Sequence, residues 1–141
     1  MSNYRYRVQT SKFGLFAGIT AHVVHPDTQP VGCDPISERV WIDTSQVEDG
    51  FRGTPLPLSS EEVEWLQRGL RHVVHHIECV DQNSYIVVAV RALEIVLVDY
   101  VEEALAPAIA GWAAQEFGFA GPHVTVRLVE PTRQYTFEWH S

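Results

Sequence analysis

The sequence predicts an α+β domain of two layers, in the order β-β-β-α-β-α followed by a C-terminal β-hairpin. Three observations predict it. Three short stretches within the first 43 residues alternate apolar and polar side chains, the period of half-buried strands. One long stretch, Pro55–Glu78, repeats apolar residues every three or four positions instead, the period of a helix. The chain ends in two further alternating stretches with a proline-containing turn between them, a hairpin signal. Strands and helices in this mixed order call for helices packed on one face of a mainly antiparallel sheet.

Tyr4–Val8 (YRYRV) reads as the first strand and Leu15–Val24 (LFAGITAHVV) as the second. Gly18 inside the second marks a bulge or a close approach of another group. His25–Pro35 is dense in Pro, Gly and Asp and reads as a loop. Arg39–Asp43 is a third strand, and Thr44–Thr54 a second loop. The helix then opens with Pro55 and Pro57 holding the approach extended, Ser59 or Ser60 as cap, and Glu61, Glu62 and Glu64 favoured by the helix dipole. Val63, Leu66, Leu70, Val73, Val74 and Ile77 form its buried stripe, and it ends near Cys79–Asn83. Tyr85–Val90 is a fourth strand, apolar on both faces as an interior strand is; 92–98 is ambiguous between strand and helix. A second helix follows from Asp99, with Pro107 as a kink or fresh start and Gly118 as its stop. His123–Leu128 and Gln134–Trp139 close the hairpin around a turn over Glu130–Arg133.

The length of 141 residues reads as one domain, 1–141, able to fold without metal or disulfide. With 45% hydrophobic and 20% charged residues the chain is globular in composition. No run approaches the ~20 apolar residues of a membrane span, and the N-terminus resembles no signal peptide. Cys33 and Cys79 are then reduced thiols, and the expected compartment is the cytoplasm. The net charge of −8, with ten scattered basic residues, argues against direct nucleic-acid binding and leaves a basic or protein partner open.

The long helix carries an unusual second face: Trp65, Arg68, His72, His75, His76 and Cys79. A plain solvated face would carry Lys and Glu. His72 with His75 or His76 has the one-turn spacing that lets two imidazoles reach one metal, and Cys79 extends the stripe. Zinc is therefore possible here, although no cofactor is required. The alternative is a contact face, on which Trp65, Arg68, His72, His76 and Trp139 meet the hairpin, a loop, a second copy in a homodimer or another partner. His22 and His25 are a second candidate, on opposite faces unless the chain turns at His25-Pro26, and His22 beside Asp27 or Asp34 would be the acid–base pair; the alternative is a histidine bonded within a loop. Cys33 next to Asp34 is an ordinary thiol whose ionisation the carboxylate opposes. Tyr4, Tyr6, Phe16, Trp41, Tyr135, Phe137 and Trp139 would floor a ligand pocket or a dimer contact on the sheet face left open by the helices.

The element order and several short segments resemble the fourth domain of translation elongation factor G, within the ribosomal protein S5 domain 2-like superfamily. The segments are Gly18-Ile19-Thr20-Ala21-His22-Val23-Val24 before the helix, Pro57–Glu64 at its start, Arg68-Gly69-Leu70-Arg71 within it, and the strand Tyr85–Val90 after it. The resemblance spans about residues 4–117. The family's glycine-rich run before the histidine is absent, and no G-x-x-x-x-G-K-[ST] segment exists to bind GTP. The resemblance implies a binding module, not a GTPase, acting at a ribosomal or tRNA site. Two further readings stand beside it: a small enzyme with a histidine-based acid–base or metal site, and a homodimeric interaction protein.

Overall fold

The computed structural model describes residues 1–129, 132 and 134–140. The strands are β1 (Ser2–Gln9), β2 (Gly14–Val24), β3 (Asp34–Pro35), β4 (Val40–Asp43), β5 (Glu48–Asp49), β6 (Ile86–Ile95), β7 (His123–Val129) and β8 (Gln134–His140). The helices are α1 (Ser60–Val80) and α2 (Leu105–Phe117). The order is the expected α+β succession. It gains two short strands, β3 and β5, inside the expected loops; at two residues each they are too brief to leave a period. Of the turn expected over Glu130–Arg133, residues 130, 131 and 133 lie outside the described residues.

Strand β6 is the spine of the main sheet, whose order is β1-β2-β6-β4-β3. It pairs antiparallel with β2 and parallel with β4, and farther along its length parallel with β5. The ambiguous segment resolves as strand up to Ile95, followed by 3₁₀ turns at Leu97–Asp99 and Glu102–Ala104. Between β2 and β6 the register slips: Ala21 faces Val90, but Thr20 faces Ala92. Arg91 is the extra residue of a bulge, a device that re-aims side chains at a sheet edge or site.

Helix α1 is capped by Ser59. Its hydroxyl accepts from the Glu62 N–H, and the Glu62 carboxylate accepts from the Ser59 N–H, a reciprocal capping box. Leu66, Leu70, Val73 and Ile77 face the core, as the stripe predicts. Helix α2 makes a fresh start two residues before Pro107 and stops at Gly118, which takes the left-handed conformation with φ 78°. Nine of its thirteen residues are buried. A helix apolar all round must be covered on both sides. One side packs on β1 and β2 and the other meets α1. The hairpin forms its own two-stranded sheet and adds nothing to the main one.

The core lies between sheet and helices, built from Ala17, Ile19, Val40, Ile42, Val88 and Val90 below and Leu66, Leu70, Leu105, Ile109 and Trp112 above. Tyr4 and Tyr6 pack on this side, because they pair with Ile19 and Ala17 and strand residues in register share a face. Phe16 and Trp41 take the opposite face. The aromatic floor expected for the open face is thereby split between two sides of the sheet.

Candidate functional site

The helix-free face of the sheet carries most of the polar chemistry. Asn3, Arg5 and Arg7 of β1 alternate outward there, with Phe16, Gly18, Thr20 and His22 of β2. From β6, the bulge turns both Arg91 and Ala92 to this face, because Val90 before them and Leu93 after them are both in the core. Glu94, only 5% exposed, lies so close over Gly18 that a Cβ there would sit 2.9 Å from it. This is the close approach that a glycine inside a strand predicts. Asn3 Nδ2 donates to Glu94 Oε1 at 2.7 Å and Arg5 Nη2 to Oε2 at 2.9 Å. A buried carboxylate is stable only when paired in this way.

Beside this network, Asp43 of β4 accepts from the Ser45 hydroxyl at 2.6 Å and the Ser45 N–H at 2.9 Å. Its other oxygen faces Arg91 Nη1 at 3.5 Å. Burial acts to raise the Asp43 pKa, but the Ser45 hydrogen bonds and Arg91 outweigh it and hold the carboxyl below its usual value. Burial, then Asp43 and Asp34, push the nearby Cys33 thiol up, so Cys33 is a poor nucleophile near neutral pH.

Arg91 and Ala92 form one wall of a groove of about 910 Å³. Thr20 shares that wall. Val47, Pro55, Leu56, Pro57 and Leu58 form the other. The second wall holds its shape through backbone bonds, Leu56 N–H to the Val47 carbonyl at 2.9 Å and an antiparallel bridge between Glu48 and Pro55. Sequence reasoning reached neither Arg91 nor the groove. The signal was present: an arginine interrupts the apolar strand YIVVAVRALEI, and the alternation changes phase there.

The residues expected to act are distributed differently. His22 is on the helix-free face, in register with Ala89 and, one strand on, Asp43. Among the described residues its Nδ1 is buried without a partner, and neither Asp27 nor Asp34 bonds it. The histidine that finds a carboxylate is His25, whose Nε2 lies 2.6 Å from Asp81 Oδ2. That pair ties the end of β2 to the C-cap of α1. Burial acts to raise the Asp81 pKa, and the hydrogen bonds from His25 and Asn83 more than offset it, leaving it lowered. Such a pair can pass a proton, but among the described residues His25 bonds no Ser, Thr or Cys side chain.

On α1, the His72 ring stacks on Trp139 at 3.7 Å, and the His76 ring on Phe119 at 5.1 Å. His75 and His76 lie 4.0 Å apart, ring to ring. Cys79 is exposed. Among the described residues no three His, Cys, Asp or Glu side chains gather as a metal-binding group. Trp65 lies under the Arg68 guanidinium at 4.7 Å, and Arg68 bonds Glu64 at 2.7 Å. The helix face is thus partly a docking surface for the chain's own hairpin and for Phe119.

Among the described residues no helix is long and apolar enough to cross a membrane. No protein-family model, curated protein or solved structure matches this chain.

Proposed function

We propose that this chain is a non-enzymatic binding module whose ligand lies in the groove between the helix-free sheet face and residues 44–58. The observation that carries the reading is the groove's make-up: apolar walls of Val47, Leu56, Leu58 and Ala92 beside polar groups of Thr20, Thr44, Ser45, Gln46, Glu48 and Arg91. Small-molecule and peptide sites have this composition. The test is a fragment screen followed by amide chemical shifts in the NMR spectrum. Shifts gathered on Thr20, Val47, Leu56 and Ala92, and lost in Ala92→Phe, which fills the groove, support it. Shifts gathered around His72 and Trp139 would move the binding surface to α1.

The segments and element order that resemble elongation factor G domain IV give a second reading, in which the module works at a ribosomal or tRNA site. With no GTP-binding segment and a charge of −8, contact with ribosomal protein fits better than contact with RNA backbone. Co-sedimentation with ribosomes that survives moderate salt supports this reading, and free protein at every salt concentration sinks it.

A further inference from the structure

Two strand edges that the fold leaves unpaired border one groove. Strand β1 is the last of the main sheet and pairs with β2 alone, and β7 pairs with β8 alone. A groove of about 470 Å³, which shares no residue with the one beside Arg91, is lined by Tyr4, Tyr6, Arg7 and Val8 of β1 and by His123 and Val124 of β7. Successive strand residues point to opposite faces, so a groove that touches Tyr6, Arg7 and Val8 runs along the edge of β1. The start of that edge is covered: Trp112 Nε1 donates to the Ser2 carbonyl at 3.2 Å, and Gln115 Nε2 to that of Asn3 at 3.1 Å. From Tyr4 to Val8 the described residues supply the backbone with no hydrogen bond beyond those of the β1–β2 ladder. Such a ladder engages only alternate residues of an edge strand, so the others turn their N–H and C=O groups outward.

This geometry selects an extended backbone as occupant. Donors and acceptors repeating at strand spacing are matched in series by another strand, whereas a compact molecule meets one or two of them. Charge selects the side chains. Residues of an added strand that lie opposite Arg5 and Arg7 share their face, with Cβ atoms about 4.5–5.5 Å apart. Arg5 already holds Glu94. Arg7 is exposed and makes no ion pair among the described residues; its guanidinium rests over the Phe16 ring at 5.4 Å. Residues opposite Tyr4, Tyr6 and Val8 fall on the other face, where Phe119 and Pro122 also line the groove. We infer that β1 receives an extended segment of a partner protein as an added strand, in which apolar residues alternate with acidic ones. The apolar side chains lie against Tyr4, Tyr6 and Val8, and a carboxylate meets Arg7. A second copy of the chain fits less well, because β1 (SNYRYRVQ) has no Asp or Glu, and pairing through the same strand would set arginines on one face.

The experiment titrates the capped peptide Val-Glu-Val-Glu-Val-Glu, and its counterpart with lysine in place of glutamate, into the whole chain, followed by amide chemical shifts. Salt at about 0.15 M screens charges beyond roughly 8 Å, so the readout is local. The glutamate peptide should shift the amides of Tyr4–Val8 and bind several-fold more tightly than the lysine peptide, as one or two opposite-charge cross-strand pairs allow. Arg7→Gln should erase that preference and Arg7→Glu should invert it. The glutamate peptide N-methylated at alternate residues, made in both phases, should lose about ten-fold in affinity in at least one phase, because methylated nitrogens cannot donate to the edge. That comparison uses the parent chain and needs no variant to fold. Equal binding of the two charged peptides, a preference unchanged in Arg7→Glu, or full binding by both methylated peptides overturns the inference. Shifts that miss β1 overturn it as well, and shifts on β1 that grow with protein concentration alone would replace the partner segment with a second copy.

Discussion

The His72 imidazole lies flat on the Trp139 indole, ring centroids 3.7 Å apart and planes 1° from parallel. This contact joins the polar face of α1 to the last strand of the chain. The β7–β8 hairpin shares no strand pairing with the main sheet, so side chains must hold it: Trp139 on His72, Tyr135 edge-on to Phe13 at 5.2 Å, and Phe137 on the core. Beneath Trp139 lies the face of α1 that carries His72.

Trp139→Ala should therefore loosen the hairpin selectively. Truncating a fully buried Trp costs about 3–5 kcal/mol; Trp139 is half-buried, so a loss of roughly 1–3 kcal/mol is expected on the same basis. Amide hydrogen exchange should accelerate across β7 and β8, and leave β6 protected. Uniform acceleration, or none, would show that the hairpin is held by something other than this stack.

Stability should also fall on the acid side through His72. Burial lowers the His72 pKa below its ordinary value. The unfolded chain then takes up a proton at higher pH than the folded one. The contribution is complete above the ordinary histidine value of about 6.5 and is lost as pH drops through that value toward the lower folded one. The ring is largely exposed, so solvent keeps the effect small. His72→Phe keeps the stack and cannot titrate. Urea midpoints measured across this range should decline less in the variant than in the parent, and parallel declines would assign the acid sensitivity elsewhere.

Cys33 should alkylate slowly near neutral pH. Burial raises its pKa first, Asp43 and Asp34 raise it further, and Arg91 only partly opposes them. The thiolate is the reactive form, so the iodoacetamide rate should keep rising above the pH at which a free peptide thiol levels off. Asp43→Asn removes one of the opposing charges and should quicken the reaction. A rate no slower than a free thiol's would place Cys33 away from the two carboxylates.

Much of the fold was legible because it follows from period and punctuation. Helix α1 announced itself by its stripe and its serine cap, and Gly118 marked the end of α2. What stayed hidden depends on the approach of distant segments. The bulge at Arg91 is set by how β2 pairs with β6, and the second wall of the groove by Leu56 folding back to Val47. His22 was singled out as the histidine with a carboxylate, yet His25 holds one, because Asp81 arrives from the far end of α1. The histidine face of α1 was recognisable as unusual. That Trp139 and Phe119 would cover part of it could not be read from α1 alone.

Gly69 tests the packing that this fold requires. It lies in the segment Arg68-Gly69-Leu70-Arg71, where Ala would be the better helix former by about 1 kcal/mol. Here α1 crosses α2 so closely that a Cβ would run into the Ala106 carbonyl oxygen and lie 2.6 Å from Ile109 Cγ2. A carbonyl of a neighbouring helix cannot swing aside as a flexible side chain can, so the helices must part, and overpacking of this kind costs about 1–3 kcal/mol. Gly69→Ala should therefore destabilise the chain despite its gain in propensity. Gly53→Ala is the control: its φ of 72° strains an alanine, but no atom stands within 4 Å, so its cost is confined to roughly 1–2 kcal/mol of left-handed backbone. In denaturant titrations both should lower the midpoint, and only Gly69→Ala should also accelerate hydrogen exchange in both helices at their crossing. A Gly69→Ala protein as stable as its parent would mean that α1 and α2 do not meet at this residue.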